Sequence, residues 1–282
     1  MKHKKILTSS ALMAIGFLVF ISCNKPTRPE LGSYPLDANP PGGPLKIYAA
    51  FDGNSTPAMN GVDSIRANFP ADNPLSPVPG ISGNGIQGDG TKFIKYASPN
   101  DFASTAQSFT VAFWEKRDGI PNGNASFVFT IPSGNGQWGS YGFSMFLLFD
   151  WGSWTPASSA TVKFYMVDDQ TKSDQWLTWE NADRVPNLQD NNWHHLAFVY
   201  DATTSNLTLY VDGVANSHVP QWTDHGPLHM DASKVQGLDI AGNENIGNMG
   251  WGMDWDAGLD QFRLYGTALS ASEVQALYNN KE

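Results

Sequence analysis

From Leu45 onward the chain is built of short runs in which apolar and polar residues alternate, separated by turn residues. Phe109, Val111 and Phe113 alternate with Thr110, Ala112 and Trp114, the period of two that sends successive side chains to opposite faces of a strand. Residues 161–167 form a second run of this kind. Between His194 and Tyr200 two sets interleave, Leu196/Phe198/Tyr200 and His195/Ala197/Val199, which predicts a strand covered on both faces. Leu207, Leu209 and Val211 form one face of the next strand, and Asp212-Gly213 supplies a tight turn out of it. Residues 238–240 and 259–265 are further strands. The pattern changes once, near the C-terminus. Ser270 followed by Glu273 is a capping box, and Val274, Leu277 and Tyr278 then share one helical face. A helix that short is unstable alone and must dock on the sheets. With no repeat or linker in between, residues 45–282 are expected to form one all-β domain.

The first residues follow a different pattern. Lys2, Lys4 and Lys5 precede an apolar run from Ile6 to Ile21, interrupted only by Thr8, Ser9 and Ser10. A positive head and a short apolar stretch read as a secretory signal over residues 1–22, shorter than the roughly 20 apolar residues a spanning helix needs. Residues 19–23 resemble a bacterial lipobox ending at Cys23, the only cysteine in the chain. Cys23 cannot form an internal disulfide, and its position predicts that it carries lipid. Residues 23–44 hold Pro26, Pro29, Pro35, Pro40, Pro41 and Pro44, a tether expected to hold the domain off a membrane reached through the lipid alone. The expected location is a bacterial cell envelope.

Composition narrows the partners. The chain has 27 Gly, 18 Pro and 10 Trp with only 16% charged residues, which suits many turns and large aromatics. Removing Lys2, Lys4 and Lys5 with the signal lowers Lys+Arg from 17 to 14 against 27 Asp+Glu. So acidic a surface excludes nucleic acid, which rewards clustered positive charge, and excludes charge-driven binding to anionic lipid.

Four segments carry a resemblance. Residues 192–201, followed by 207–213, resemble the central signature of laminin-G-like jelly-roll domains. Residues 258–270 resemble that family's closing strand and helix, 49–54 its opening strand and 109–116 a fourth recurring segment. The order is right, although residues 120–190 match poorly. The resemblance implies an antiparallel two-sheet jelly-roll sandwich of the concanavalin A-like kind with one short C-terminal helix. It implies use mostly in binding glycans or proteins, and less often in glycan cleavage. It also implies one structural calcium ion clasping the first and last strands, with Asp52 and Asp260 as its ligands.

The residues offer little catalysis. Enzymes of this architecture place carboxylates at alternate positions of one strand, because a retaining glycosidase needs two carboxyls roughly 5–5.5 Å apart. The pattern Glu-x-Asp-x-x-Glu is absent. Asp254 and Asp256 are two apart and could share a strand face, or be a polar loop. His194 and His195 are adjacent, so in a strand they face opposite ways and cannot grip one ion. His218, His225 and His229 fit no usual zinc spacing.

Tryptophan offers more. Trp138, Trp151, Trp154, Trp176, Trp179, Trp222, Trp251 and Trp255 lie outside the strongest strands, among Gly, Asp and Asn. An indole pairs with the apolar C–H face of a pyranose, and nearby amides and carboxylates select hydroxyls. About half of these indoles are expected to plug the sandwich ends. Trp114 and Trp193 are assigned to packing. The leading expectation is a non-catalytic carbohydrate-binding lipoprotein whose loop tryptophans converge in one trough. The alternatives are a glycoside hydrolase or lyase of the same fold, and an adhesion or assembly module for other envelope proteins.

Overall fold

The computed structural model describes residues 43–52, 73–119, 123–137, 141–150 and 159–281. Cys23, Trp138, Trp151 and Trp154 lie outside them. In chain order the strands are β1 (Leu45–Ala49), β2 (Ser76–Pro79), β3 (Asn84–Gln87), β4 (Ile94–Tyr96), β5 (Phe109–Asp118), β6 (Ala125–Pro132), β7 (Phe143–Asp150) and β8 (Ser159–Asp168). They continue with β9 (Ser173–Trp179), β10 (Val185–Pro186), β11 (Asp190–Asp201), β12 (Asn206–Val211), β13 (Val214–Ala215), β14 (Leu238–Ile240), β15 (Gly252–Asp254) and β16 (Gly258–Tyr265). A one-turn helix α1 (Phe102–Thr105), which the sequence pattern did not suggest, precedes β5, and helix α2 (Ala271–Asn279) follows β16.

The strands form two sheets. The first runs β13-β12-β11-β5-β16-β3-β2, with β1 also paired to β16; the second runs β10-β8-β7-β6-β14-β4, with β9 on β8 and β15 on β6. Only β15 is parallel to its neighbour, lying beside residues 125–127 of β6. The first sheet sends Phe109, Val111, Phe113, Leu196, Phe198 and Tyr200 inward, and the second meets them with Phe129, Ile131, Met145, Leu147 and Phe164. Phe109 stacks on Phe164 at 5.5 Å and on Tyr200 at 5.4 Å, and Phe129 packs on Phe262 at 5.7 Å. This is the antiparallel two-sheet sandwich that the resemblance implies.

The other face of the first sheet carries Ala112, Ala197 and Val199, which bury Val274 of α2, and Tyr278 stacks on Trp114 at 5.6 Å. The capping box forms as expected. The Ser270 amide donates to Glu273 Oε2 at 2.7 Å and the Glu273 amide to Ser270 Oγ at 3.3 Å. β6 and β7 escape pattern reading because nearly every residue in them is buried on one face or the other.

Candidate functional site

The outer face of the second sheet is where aromatic side chains gather outside the main core. Phe127 of β6, Phe143, Phe146 and Leu148 of β7, and Tyr165 and Val167 of β8 point away from the sandwich interior and pack together with Met249. Tyr141, Ile246, Trp176 and Trp251 close over this cluster while keeping partial exposure. Trp176 meets Phe146 edge-on with centroids 5.3 Å apart, Phe146 meets Phe127 at 5.2 Å, and Phe127 meets Trp251 at 5.8 Å. Tyr165 stacks on Phe146 at 4.7 Å and lies 5.1 Å from Trp176. The result is a row of rings crossing strands β9, β7 and β6, with a partly exposed indole at either end.

One side-chain rung along from Trp176 and Tyr165, the cross-strand pair Thr178 and Lys163 carries the polar groups. Lys163 Nζ lies 2.7 Å from Asp150 Oδ2 and 3.3 Å from Glu180 Oε2. Thr178 Oγ1 donates to Glu180 Oε1 at 3.2 Å. Burial tends to lower the Lys163 pKa, but the two carboxylates outweigh it and hold the pKa above its ordinary value. Burial, and after it the nearby charge of Asp174, exposed on β9, push the Tyr165 hydroxyl pKa up. Sequence reasoning missed Phe127, Phe146, Tyr165, Asp150, Lys163 and Glu180. The one available signal was the doubly apolar character of 125–150, which marks a sheet covered on both faces.

The eight tryptophans therefore divide. Trp176 and Trp251 meet on one cluster. Trp179 and Trp255 are both fully buried in the main core, which corrects their assignment to a sugar site. The Trp179 indole donates to the His218 carbonyl at 3.0 Å and Trp255 to the Gly258 carbonyl at 3.3 Å, so their polar edges are already used. Trp222 is also buried, stacked at 3.7 Å on His225. Trp176 and Trp179 occupy strand β9 rather than a loop, because its neighbour β8 sets Tyr165 across from the first and Val162 across from the second. Trp114 is buried as expected, whereas Trp193 is partly exposed with its ring edge over Gly85 and Gly258.

Asp52 and Asp260 come together around the turn between β2 and β3. The Ile81 amide donates to Asp260 Oδ2 at 2.8 Å and the Asn84 amide to Asp52 Oδ1 at 2.9 Å. Gly80 and Gly83 pass so close to these carboxylates that a Cβ on either would collide with them, and Gly83 has φ +60. Asp260 is fully buried and its Oδ1 has no hydrogen-bond partner. Burial, reinforced by the charge of Asp52, pushes its carboxyl up to about 7 against the amides that stabilise its charge. A buried carboxylate oxygen without a partner, beside a second carboxylate, fits a hard cation. Among the described residues no three His, Cys, Asp or Glu side chains come together to hold a metal, so backbone carbonyls would have to complete such a shell.

Asp254 and Asp256 are not paired with each other. Asp254 Oδ1 accepts from the Asn243 amide at 2.9 Å, while Asp256 Oδ1 binds Arg117 at 2.5 Å and accepts from Ser126 Oγ at 2.9 Å. His194 and His195 face opposite ways, the first toward Asp190 and Asp212, the second under α2. His225 and His229 share Asp168 Oδ2, at 3.3 and 3.0 Å, while His218 lies apart against Asp183.

The family model for the concanavalin A-like lectin/glucanases superfamily matches residues 89–275. No curated protein matches the chain. Among solved structures the chain is similar to domain 4 of AbnA, a GH43 extracellular arabinanase from Geobacillus stearothermophilus in complex with arabinotriose. The identity is 16% and the TM-score 0.55, over 83% of this chain and 98% of that one. It is also similar to the ligand-binding domain of botulinum neurotoxin serotype D in complex with N-acetylneuraminic acid, at 11% identity and TM-score 0.54, over 83% of this chain and 50% of that one. A third is the binding domain of Paraclostridial Mosquitocidal Protein 1, at 14% identity and TM-score 0.53, over 84% and 52%. This chain thus spans about half the length of the two toxin domains. At such identities the likeness is one of fold.

Proposed function

The chain belongs to the concanavalin A-like lectin/glucanases superfamily, and from that premise we propose that it binds glycan on the outer face of its second sheet. The observation that carries this reading is the ring row Trp176–Phe146–Phe127–Trp251, which ends in a partly exposed indole on each side. Sugar rings laid along the row would bury their C–H faces against the indoles, removing water from both. The polar rung of Lys163, Asp150, Thr178 and Glu180 would orient hydroxyls at its side. Sandwiches of the same fold solved with arabinotriose and with N-acetylneuraminic acid support a sugar-binding use.

Titration of the full chain against a polysaccharide panel tests this. Trp176→Ala and Trp251→Ala are each expected to weaken binding roughly tenfold or more, about 1.4 kcal/mol. Binding that survives the double substitution would remove the reading.

The anchoring reading stands beside it: Cys23 carries lipid and residues 24–44 tether the domain at a bacterial envelope, outside the membrane it is fixed to. Mass spectrometry of the N-terminal peptide from membrane fractions tests that, with an unmodified Cys23 as the contrary result. A structural calcium ion is proposed at Asp52 and Asp260. When bound it would neutralise two neighbouring carboxylates and pin the segment after β1 to β16.

A further inference from the structure

We infer that the glycan taken by this face is a neutral, hydroxyl-rich polysaccharide rather than a uronate, sialate or sulfate ester, an inference that rests on the sugar-binding reading above. Lys163 and Lys95 are the only Lys or Arg in the strands of the second sheet, and both point to its outer face. Each is already held by carboxylate, Lys163 by Asp150 and Glu180, Lys95 by Glu244. Asp150 and Asp174 point outward from the same strands, and with Glu180 and Glu244 the carboxylates outnumber the cations across the face.

The distances make this field matter. The polar rung lies two residues along the strands from Trp176 and Tyr165, about 6.6 Å. That is inside the screening length of about 8 Å at physiological salt. An acidic sugar stacked on Trp176 would bring its charge next to Asp150, Glu180 and Asp174, with no unpaired Lys or Arg in the strands of that sheet to meet it, which is repulsive. A neutral ring meets no such repulsion. Its vicinal hydroxyls are donors, and the Asp150 and Glu180 carboxylates are acceptors held in place by Lys163 and Thr178. Their orientation is fixed before the sugar arrives, so little is lost in ordering them.

The experiment is calorimetric titration of the full chain with neutral polymers (a linear β-glucan, an α-mannan, an arabinan) and acidic ones (polygalacturonate, hyaluronan, a sialylated glycan). The expected result is a neutral polymer whose affinity changes less than about twofold between roughly 0.15 and 0.5 M salt. Trp176→Ala should weaken it roughly tenfold or more. Asp150→Asn combined with Glu180→Gln should weaken it severalfold without lowering its salt independence. An acidic polymer bound as tightly as any neutral one, and lost in Trp176→Ala, overturns the inference while leaving the sugar site standing. If no polymer shows binding sensitive to Trp176→Ala, the site itself is wrong and the inference goes with it.

Discussion

Glu115 and His194 are direct cross-strand partners on β5 and β11, both turned into the sandwich near one end. They meet very different fates there. Glu115 is fully buried with neither carboxylate oxygen hydrogen-bonded, and burial pushes its pKa up to about 8. Arg117 and His194 pull it down and Asp190 and Asp212 push it up, but desolvation dominates. His194 is held between Asp212 at 2.8 Å and Asp190 at 3.1 Å, and the bond to Asp212 leads in raising its pKa to about 9.

For Glu115 the folded protein favours the protonated form, whereas the unfolded chain ionises near the ordinary value of 4.5. Its contribution to stability is complete below 4.5 and is lost as pH rises toward about 8. Glu115→Gln is therefore expected to leave stability almost unchanged near pH 4.5 and to raise it by a few kcal/mol, on the order of magnitude set by such shifts, at pH 8 and above. Urea unfolding across pH 4.5–9 checks this; parallel wild-type and variant curves would contradict it.

His194 slopes the same way for the opposite reason, because its charged form is the one the fold prefers. The stabilisation is complete below the ordinary value of 6.5 and disappears as pH rises through about 9. His194→Gln should cost about 1–2 kcal/mol at pH 6 and progressively less toward pH 10. Because His194 and Glu115 touch electrostatically, the double variant should depart from additivity by more than about 0.5 kcal/mol.

Millimolar calcium should raise the unfolding temperature at pH 7.5, with about 2.7 kcal/mol expected at a hundredfold excess over its dissociation constant. The effect should shrink at pH 5.5, because a proton competes for Asp260 once pH falls below about 7. Asp260→Asn should abolish it. Differential scanning calorimetry that finds no calcium response in the wild type would dismiss the cation.

Burial separates the tryptophans by phenotype. Trp179→Ala and Trp255→Ala empty fully buried sites and should each cost about 3–5 kcal/mol of stability. Trp255→Ala should cost toward the upper end, since Arg117 also stacks on its ring at 4.2 Å. Trp176→Ala, at a partly exposed rim, should shift the unfolding midpoint far less while removing sugar binding. Thermal melts beside the binding titrations distinguish the two groups.

Strand alternation around Phe109, Leu196 and Leu207, the Asp212-Gly213 turn and the Ser270–Glu273 cap were legible because each is a local pattern with one structural solution. The aromatic face was not. Phe127, Phe146 and Tyr165 sit in runs apolar at both parities, so nothing local says which residues turn inward and which outward. Trp179 and Trp255 looked no different from Trp176 and Trp251, since composition around an indole does not report what packs over it.

The sequence by itself determined the two-layer β architecture, the docked C-terminal helix and the acidic character of the surface. Periodicity, caps and charge are properties of short segments that persist in any context. Only the tertiary structure decided which indoles share a face, that Asp52 and Asp260 flank one turn, and that Glu115 is sealed in without a partner. Those facts arise from pairings between strands distant in the chain, where register and the opposing sheet set each side chain's surroundings.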